Sequence, residues 1–192
     1  MAEVTFGSDG DFSHKVMIQK CNNNLANELG NLCQRTLSMV FKNCNKAVPT
    51  EIGPYTPEDE ALLADAASLR ERCAEHMSVQ AIHKYTQTVV AMVRDANKYI
   101  DEQAPWVLRK EDPERMATVL YVIMEVLRKV AIMYQPIIPE TANKILDQLK
   151  IPENERTFAH LETGRVEPGT PISKPQGVFP RIEMPEEMLV EA

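Results

Sequence analysis

Four residues carry side chains suited to reading a flat, hydrogen-bonding ligand. Trp106 is the single tryptophan among 192 residues and closes the run Glu102-Gln103-Ala104-Pro105-Trp106. Proline fixes its own φ and restricts the residue before it, so a ring directly after Pro105 is presented from a stiff segment. Such a ring offers a face on which an unpaired base can stack, worth about 1–3 kcal/mol per base. Asn31 and Arg35 stand four apart, and on a helix that spacing puts both on one face. Leu32 lies about 100° round from Asn31, so the pair borders the apolar stripe. An amide beside a guanidinium can satisfy the polar edge of a base. Each residue also has a plainer reading. Trp106 could plug a gap between helices, and Arg35 could pair with Glu28 on a solvated face. Periodicity alone favours the plainer readings and leaves both pairs of alternatives open.

Other chemistry finds little support. The histidines, His14, His76, His83 and His160, stand at no spacing that suggests a nucleophile or a metal site. Neither G-x-G-x-x-G nor G-x-x-x-x-G-K-[ST] occurs, so no phosphate loop is expected. Cys21, Cys33, Cys44 and Cys73 form no C-x-x-C pair, which argues against structural zinc. They read as small core residues in a reducing compartment. No catalytic residue and no metal ligand is assigned.

The net charge of −7 argues against strong non-specific nucleic-acid binding. The charge is unevenly spread. Residues 1–50 and 106–150 are near neutral, while 51–105 and 151–192 hold the acidity. An RNA is therefore expected to meet the first and third stretches. Lys42, Lys98, Arg109 and Lys110 are candidates for holding its phosphates.

The elements that must position these residues are helical. Residues 1–10 hold Gly7 and Gly10 and read as a linker. Asp11 or Ser13 can cap the helix that comes next. From about Phe12 to Cys44 apolar residues recur at three-to-four spacing, including Met17, Cys21, Leu25, Leu29, Leu32 and Val40. This predicts one long amphipathic helix. Gly30 inside it suggests close packing or a ligand near the backbone. Asn22, Asn23, Asn24 and Asn27 form an amide cluster, read as bonding to neighbouring helices. Thr56-Pro57-Glu58-Asp59 is a capped start for a helix to about His76. Ser78 is expected to cap a third helix to about Glu102. The chain should break near Ala104. Asp112-Pro113-Glu114 starts a fourth helix to about Tyr134, the most apolar and central. Pro139–Leu149 reads as a short fifth helix. The fold expected is an all-α bundle of about five helices over residues 11–150. Residues 151–192 hold six prolines and form an irregular segment, either an ordered strap or a partly mobile tail. No apolar run is long enough to span a bilayer.

Three stretches, in this order, resemble methionyl-tRNA synthetases. They are FGSDGDFSHKVMIQKCNNNLANELGNLCQRT (6–36), YIDEQAPWVLRK (99–110) and GVFPRIE (177–183). The first resembles the passage from the family's catalytic region into its anticodon-binding helices, and the last resembles the end of the common core. The resemblance implies recognition of the CAU anticodon of methionine tRNA. It also implies that Trp106 stacks on the first anticodon base, that Asn31 and Arg35 contact that base, and that Pro105 shapes the tryptophan turn. The class I signatures HIGH and KMSKS are absent from Met1 to Ala192. The chain is therefore expected to be inactive alone, as part of an ATP-dependent methionine tRNA ligase. ATP, magnesium and often zinc would belong to the catalytic region of the parent, and this chain needs no cofactor. Expected partners are the methionine tRNA anticodon loop and the catalytic domain of the same enzyme. The missing C-terminal dimerisation module leans toward a monomer, in the cytoplasm or an organelle matrix. The rival reading is a helical protein-interaction module, or a degenerate synthetase fragment without RNA binding.

Overall fold

Ser13 opens the first helix, its hydroxyl accepting the Val16 N–H at 3.3 Å. The computed structural model describes residues 4, 10, 13–183 and 185. The expected linker over 1–10 and the alternative cap Asp11 thus lie almost wholly outside the described residues.

The long first helix is three segments in line: α1 (His14–Lys20), a π-helical stretch π1 (Cys21–Gly30) and α2 (Asn31–Asn43). At the junction the Asn31 N–H reaches back five residues to the Ala26 carbonyl. Long helices continue the chain at α3 (Pro57–Ser78), α4 (Ile82–Gln103), α6 (Pro113–Tyr134) and α7 (Pro139–Gln148), with short ones at α5 (Pro105–Glu111) and α8 (His160–Thr163). The bundle reading holds, and the five long helices are present.

Local chemistry explains most starts. Thr56 and Asp59 form a reciprocal capping box at α3. The Asp112 carboxylate accepts the Arg115 N–H at 2.9 Å at the start of α6. Pro57, Pro105, Pro113 and Pro139 all occupy the first turn, where a missing N–H costs nothing. Ser78 departs from expectation. It ends α3, donating to the Glu75 carbonyl at 2.7 Å, and α4 begins only at Ile82. Gln80 takes a left-handed φ of 57° between them, so the turn is tighter than a cap alone would make it.

Helix α6 is the hub. Seventeen of its 22 residues are buried, and it packs against α2, α3, α4, α5 and α7. Its polar side chains organise residues 151–178 as an ordered strap. Tyr121 donates to the Val166 carbonyl at 3.1 Å, and the Val166 N–H donates to Glu125. Arg128, itself buried, pairs with Glu125 at 3.0 Å and donates to the His160 carbonyl at 2.7 Å. A buried charge pair persists only when its remaining hydrogen-bonding capacity is filled, and here the strap fills it. Val166, Ile172 and Val178 insert into the core. The strap also pairs with the α2–α3 connection through Val48 N–H to Thr170 O and Ile172 N–H to Lys46 O. Among the described residues no helix is long and apolar enough to cross a membrane.

Candidate nucleic-acid interface

The break at Ala104 is a single residue. Ala104 has φ 44° and ψ 58°, the left-handed region, and serves as both the end of α4 and the start of α5. The helical region is disfavoured before proline, so α4 cannot continue, and Pro105 starts α5 at once. Trp106 therefore stands in the first turn of a short helix, α5, which is not among the helices expected from the sequence. Pro105 is buried and Leu108 packs against the core. Together they press α5 onto α6 and turn Trp106 outward.

Trp106 is 41 % exposed, which removes the reading of a buried plug. The Arg35 guanidinium carbon lies 5.1 Å from the centroid of its ring, within cation–π range. Arg35 also binds Asp101 of α4 at 2.6 Å. Glu28, the partner considered from sequence, instead pairs with Arg94 at 3.0 Å. Its placement in π1 turns it toward α4, and Arg35 in α2 turns toward the α4–α5 corner. Asn31 is exposed one turn before Arg35. The structure thus brings Arg35 and Trp106 together across 71 residues of sequence, with Asn31 on the same helix face as Arg35 and Pro105 buried at the start of α5.

Two of the four clustered amides, Asn22 and Asn24, serve structure. The Asn22 side chain bonds both backbone groups of Ile182, donating to its carbonyl and accepting its N–H, each at 2.9 Å. The Asn24 side-chain carbonyl accepts from Arg94 at 3.4 Å. The first and last family-like stretches therefore meet at π1, the segment that leads into α2.

Sequence reasoning missed the polar network beneath this corner. The wholly buried Asp59 carboxylate receives Tyr99 of α4 and both terminal nitrogens of Arg115 of α6. Burial pushes the Asp59 carboxyl up, but hydrogen bonds from Arg115, Tyr99 and Thr56 outweigh it and hold it below its ordinary value. Arg115 also donates to the Gln103 side chain at 2.7 Å. A signal was present. Asp59 and Arg115 occupy the same third position after the caps Thr56 and Asp112, with opposite charge.

Of the proposed phosphate contacts, Lys42, Arg109 and Lys110 are exposed, and Lys98 sits 3.8 Å from Glu102. A groove of 440 Å³ beyond the end of α2, lined by residues including Asn43, Asn45, Glu51 and Glu114, contains none of Asn31, Arg35, Pro105 or Trp106. The candidate interface is formed by exposed Asn31, half-buried Arg35 and exposed Trp106. Among the described residues no group of three His, Cys, Asp or Glu could hold a metal ion.

Comparison with known proteins shows the family. Residues 48–189 match the family described as the anticodon binding domain of methionyl tRNA ligase. The chain is 48 % identical over 187 residues to a methionine--tRNA ligase of Rhizobium meliloti, covering 97 % of this chain and 36 % of that protein. It is 46 % identical over 190 residues to that of Mycobacterium tuberculosis, again covering 97 % of this chain and 36 % of the relative. The crystal structure of the apo Mycobacterium tuberculosis methionyl-tRNA synthetase superposes with a TM-score of 0.91 at 47 % identity, covering 95 % of this chain and 37 % of that one. The chain thus spans little more than a third of the relatives it matches.

Proposed function

The chain belongs to the methionyl-tRNA ligase family, as its anticodon-binding domain, and from that premise we propose that it reads the CAU anticodon of methionine tRNA. The loop bases splay, and the first, a cytosine, stacks on Trp106. Asn31 and Arg35 satisfy its polar edge, while Pro105 fixes the ring's approach. A wrong base leaves desolvated polar groups unpaired, at a cost of about 1–3 kcal/mol.

The observation that carries this reading is the exposed Trp106 ring with Arg35 at 5.1 Å over it. An aromatic ring and a planar cation in one site supply both stacking and hydrogen bonding for a base. The same exposure argues against the rival of a protein-interaction module, for which a buried Trp106 and a separate apolar patch would be expected. Methionine activation and ATP, magnesium or zinc chemistry are assigned to the remainder of the parent enzyme. This chain's part is recognition, and its net charge of −7 makes the binding weak in isolation and sensitive to salt.

The test is binding of a CAU anticodon stem-loop against one with its first base changed, at low salt. The chain should prefer CAU, and Trp106→Ala should erase the preference. Equal affinity of the unaltered chain for both stem-loops would overturn the reading.

A further inference from the structure

The 11 residues between Gln103 and Arg115 contain all of α5 and Trp106, and the two ends of this excursion are bonded to each other. The Gln103 side-chain carbonyl oxygen accepts from Arg115 at 2.7 Å. Arg115 is in turn fixed by Asp59, to which it donates at 2.8 Å through the same nitrogen. Asp59 is fixed by the Thr56 N–H at 3.0 Å and by Tyr99, which sits one turn before Gln103 on α4. Three helices, α3, α4 and α6, therefore converge on the base of the excursion.

Two features need such a clamp. Ala104 adopts φ 44° without being glycine, a strained conformation that persists only where the surroundings over-determine it. Helix α5 has seven residues, too few to be stable alone. Its position comes from Pro105 and Leu108 below and from the two tied ends.

We propose that Gln103 and Arg115, anchored on Asp59, are positioning residues for Trp106. They hold the left-handed turn at Ala104 and so the pose of the ring against Arg35. The proposal rests on the reading of Trp106 as the stacking platform, and it adds which residues outside the interface set the quality of that platform.

The single tryptophan makes the test direct. Asp59→Ala and Arg115→Ala strip a buried charge of its partner and risk unfolding, so the decisive variant is Gln103→Leu, with Gln103→Glu as the conservative rescue. The full chain is used, with Trp106 fluorescence quenched by acrylamide and binding measured for CAU and UAU stem-loops. Gln103→Leu should keep the far-UV circular dichroism of the parent while Trp106 quenching rises and selectivity for CAU falls about tenfold, the loss of one charge-assisted hydrogen bond. Gln103→Glu, which still accepts from Arg115, should restore the parental quenching. Unchanged quenching and unchanged selectivity in a folded Gln103→Leu overturn the proposal. Loss of selectivity in Trp106→Ala alone would leave the stacking reading standing without the clamp. Full selectivity in Trp106→Ala would remove the stacking reading itself, and the proposal's bearing on recognition with it.

Discussion

The guanidinium of Arg35 lies over the indole of Trp106 at 5.1 Å while its terminal nitrogen binds Asp101 at 2.6 Å. The cation is therefore held over the ring by a carboxylate on a third element. Flatness is a property of guanidinium and not of ammonium.

Arg35→Lys isolates that property. Lysine keeps the charge and can reach Asp101, but it cannot lie parallel to the ring or form a two-pronged contact with a base edge. Selectivity between CAU and UAU stem-loops should fall about tenfold, within the range of one bidentate base contact. Overall affinity at low salt should fall less, because the charge remains. Direct titration of both stem-loops separates the two quantities. A variant that keeps its selectivity would show that charge alone is used.

Asp59 links the fold to pH. Its folded carboxyl titrates below the ordinary value of 3.8 because bonds from Arg115, Tyr99 and Thr56 outweigh burial. A carboxyl depressed on folding contributes stability that is fully present above its unfolded value. That stability is lost as pH falls below 3.8 through the folded value. Asp59→Asn leaves Arg115 without its charge partner and should cost about 3 kcal/mol at pH 7. Thermal melts of both proteins from pH 7 downward should converge only in the acid range. A gap that stays constant to the lowest pH would mean that the charge of Asp59 contributes nothing.

Much of this architecture is legible in the sequence. Thr56-Pro57 and Asp112-Pro113 start helices as cap chemistry requires, and the apolar run after Arg115 becomes the hub. What stays hidden depends on tertiary partners. The residues of α5 are too few to announce a helix, and the left-handed Ala104 has no glycine to mark it. Asp59 looks like an ordinary first-turn acid until Arg115 and Tyr99 are brought to it. Glu28 is not the partner of Arg35 because it lies in π1, whose wider turns rotate it toward Arg94. The spacing holds a trace of this. Cys21, Leu25 and Leu29 succeed one another at intervals of four, longer than a 3.6-residue turn.

The cysteines divide by burial. Burial pushes the Cys33 thiol up to about 12 and the Cys73 thiol to about 11, so neither forms an appreciable thiolate near neutrality. Cys21 and Cys44 are half-buried. Alkylation of the native chain followed by peptide mass spectrometry should find Cys33 and Cys73 unmodified, with both reacting after denaturation. Rapid native labelling of Cys33 would mean that α2 opens far more readily than its packing implies.

Gly30 separates stability from recognition. It lies at the junction of π1 and α2 with φ −61°, so backbone freedom does not explain it. A Cβ there would stand 3.2 Å from the Leu25 carbonyl oxygen, five residues back, and 3.8 Å from Phe179. Alanine gains about 1 kcal/mol of helix propensity over glycine, but the crowded carbonyl belongs to the turn that sets the register of Asn31. The two effects oppose each other, so the melting temperature of Gly30→Ala should move by no more than about 4 °C for a chain of this size. Relief of the crowding shifts the Leu25 carbonyl or the backbone at Gly30 by a few tenths of an ångström, and Asn31 is the next residue along that backbone. Selectivity for the CAU stem-loop should therefore fall while the fold persists, read by thermal melting and binding on one preparation. A variant that melts like the parent and still selects CAU would mean that the π register does not set the position of Asn31.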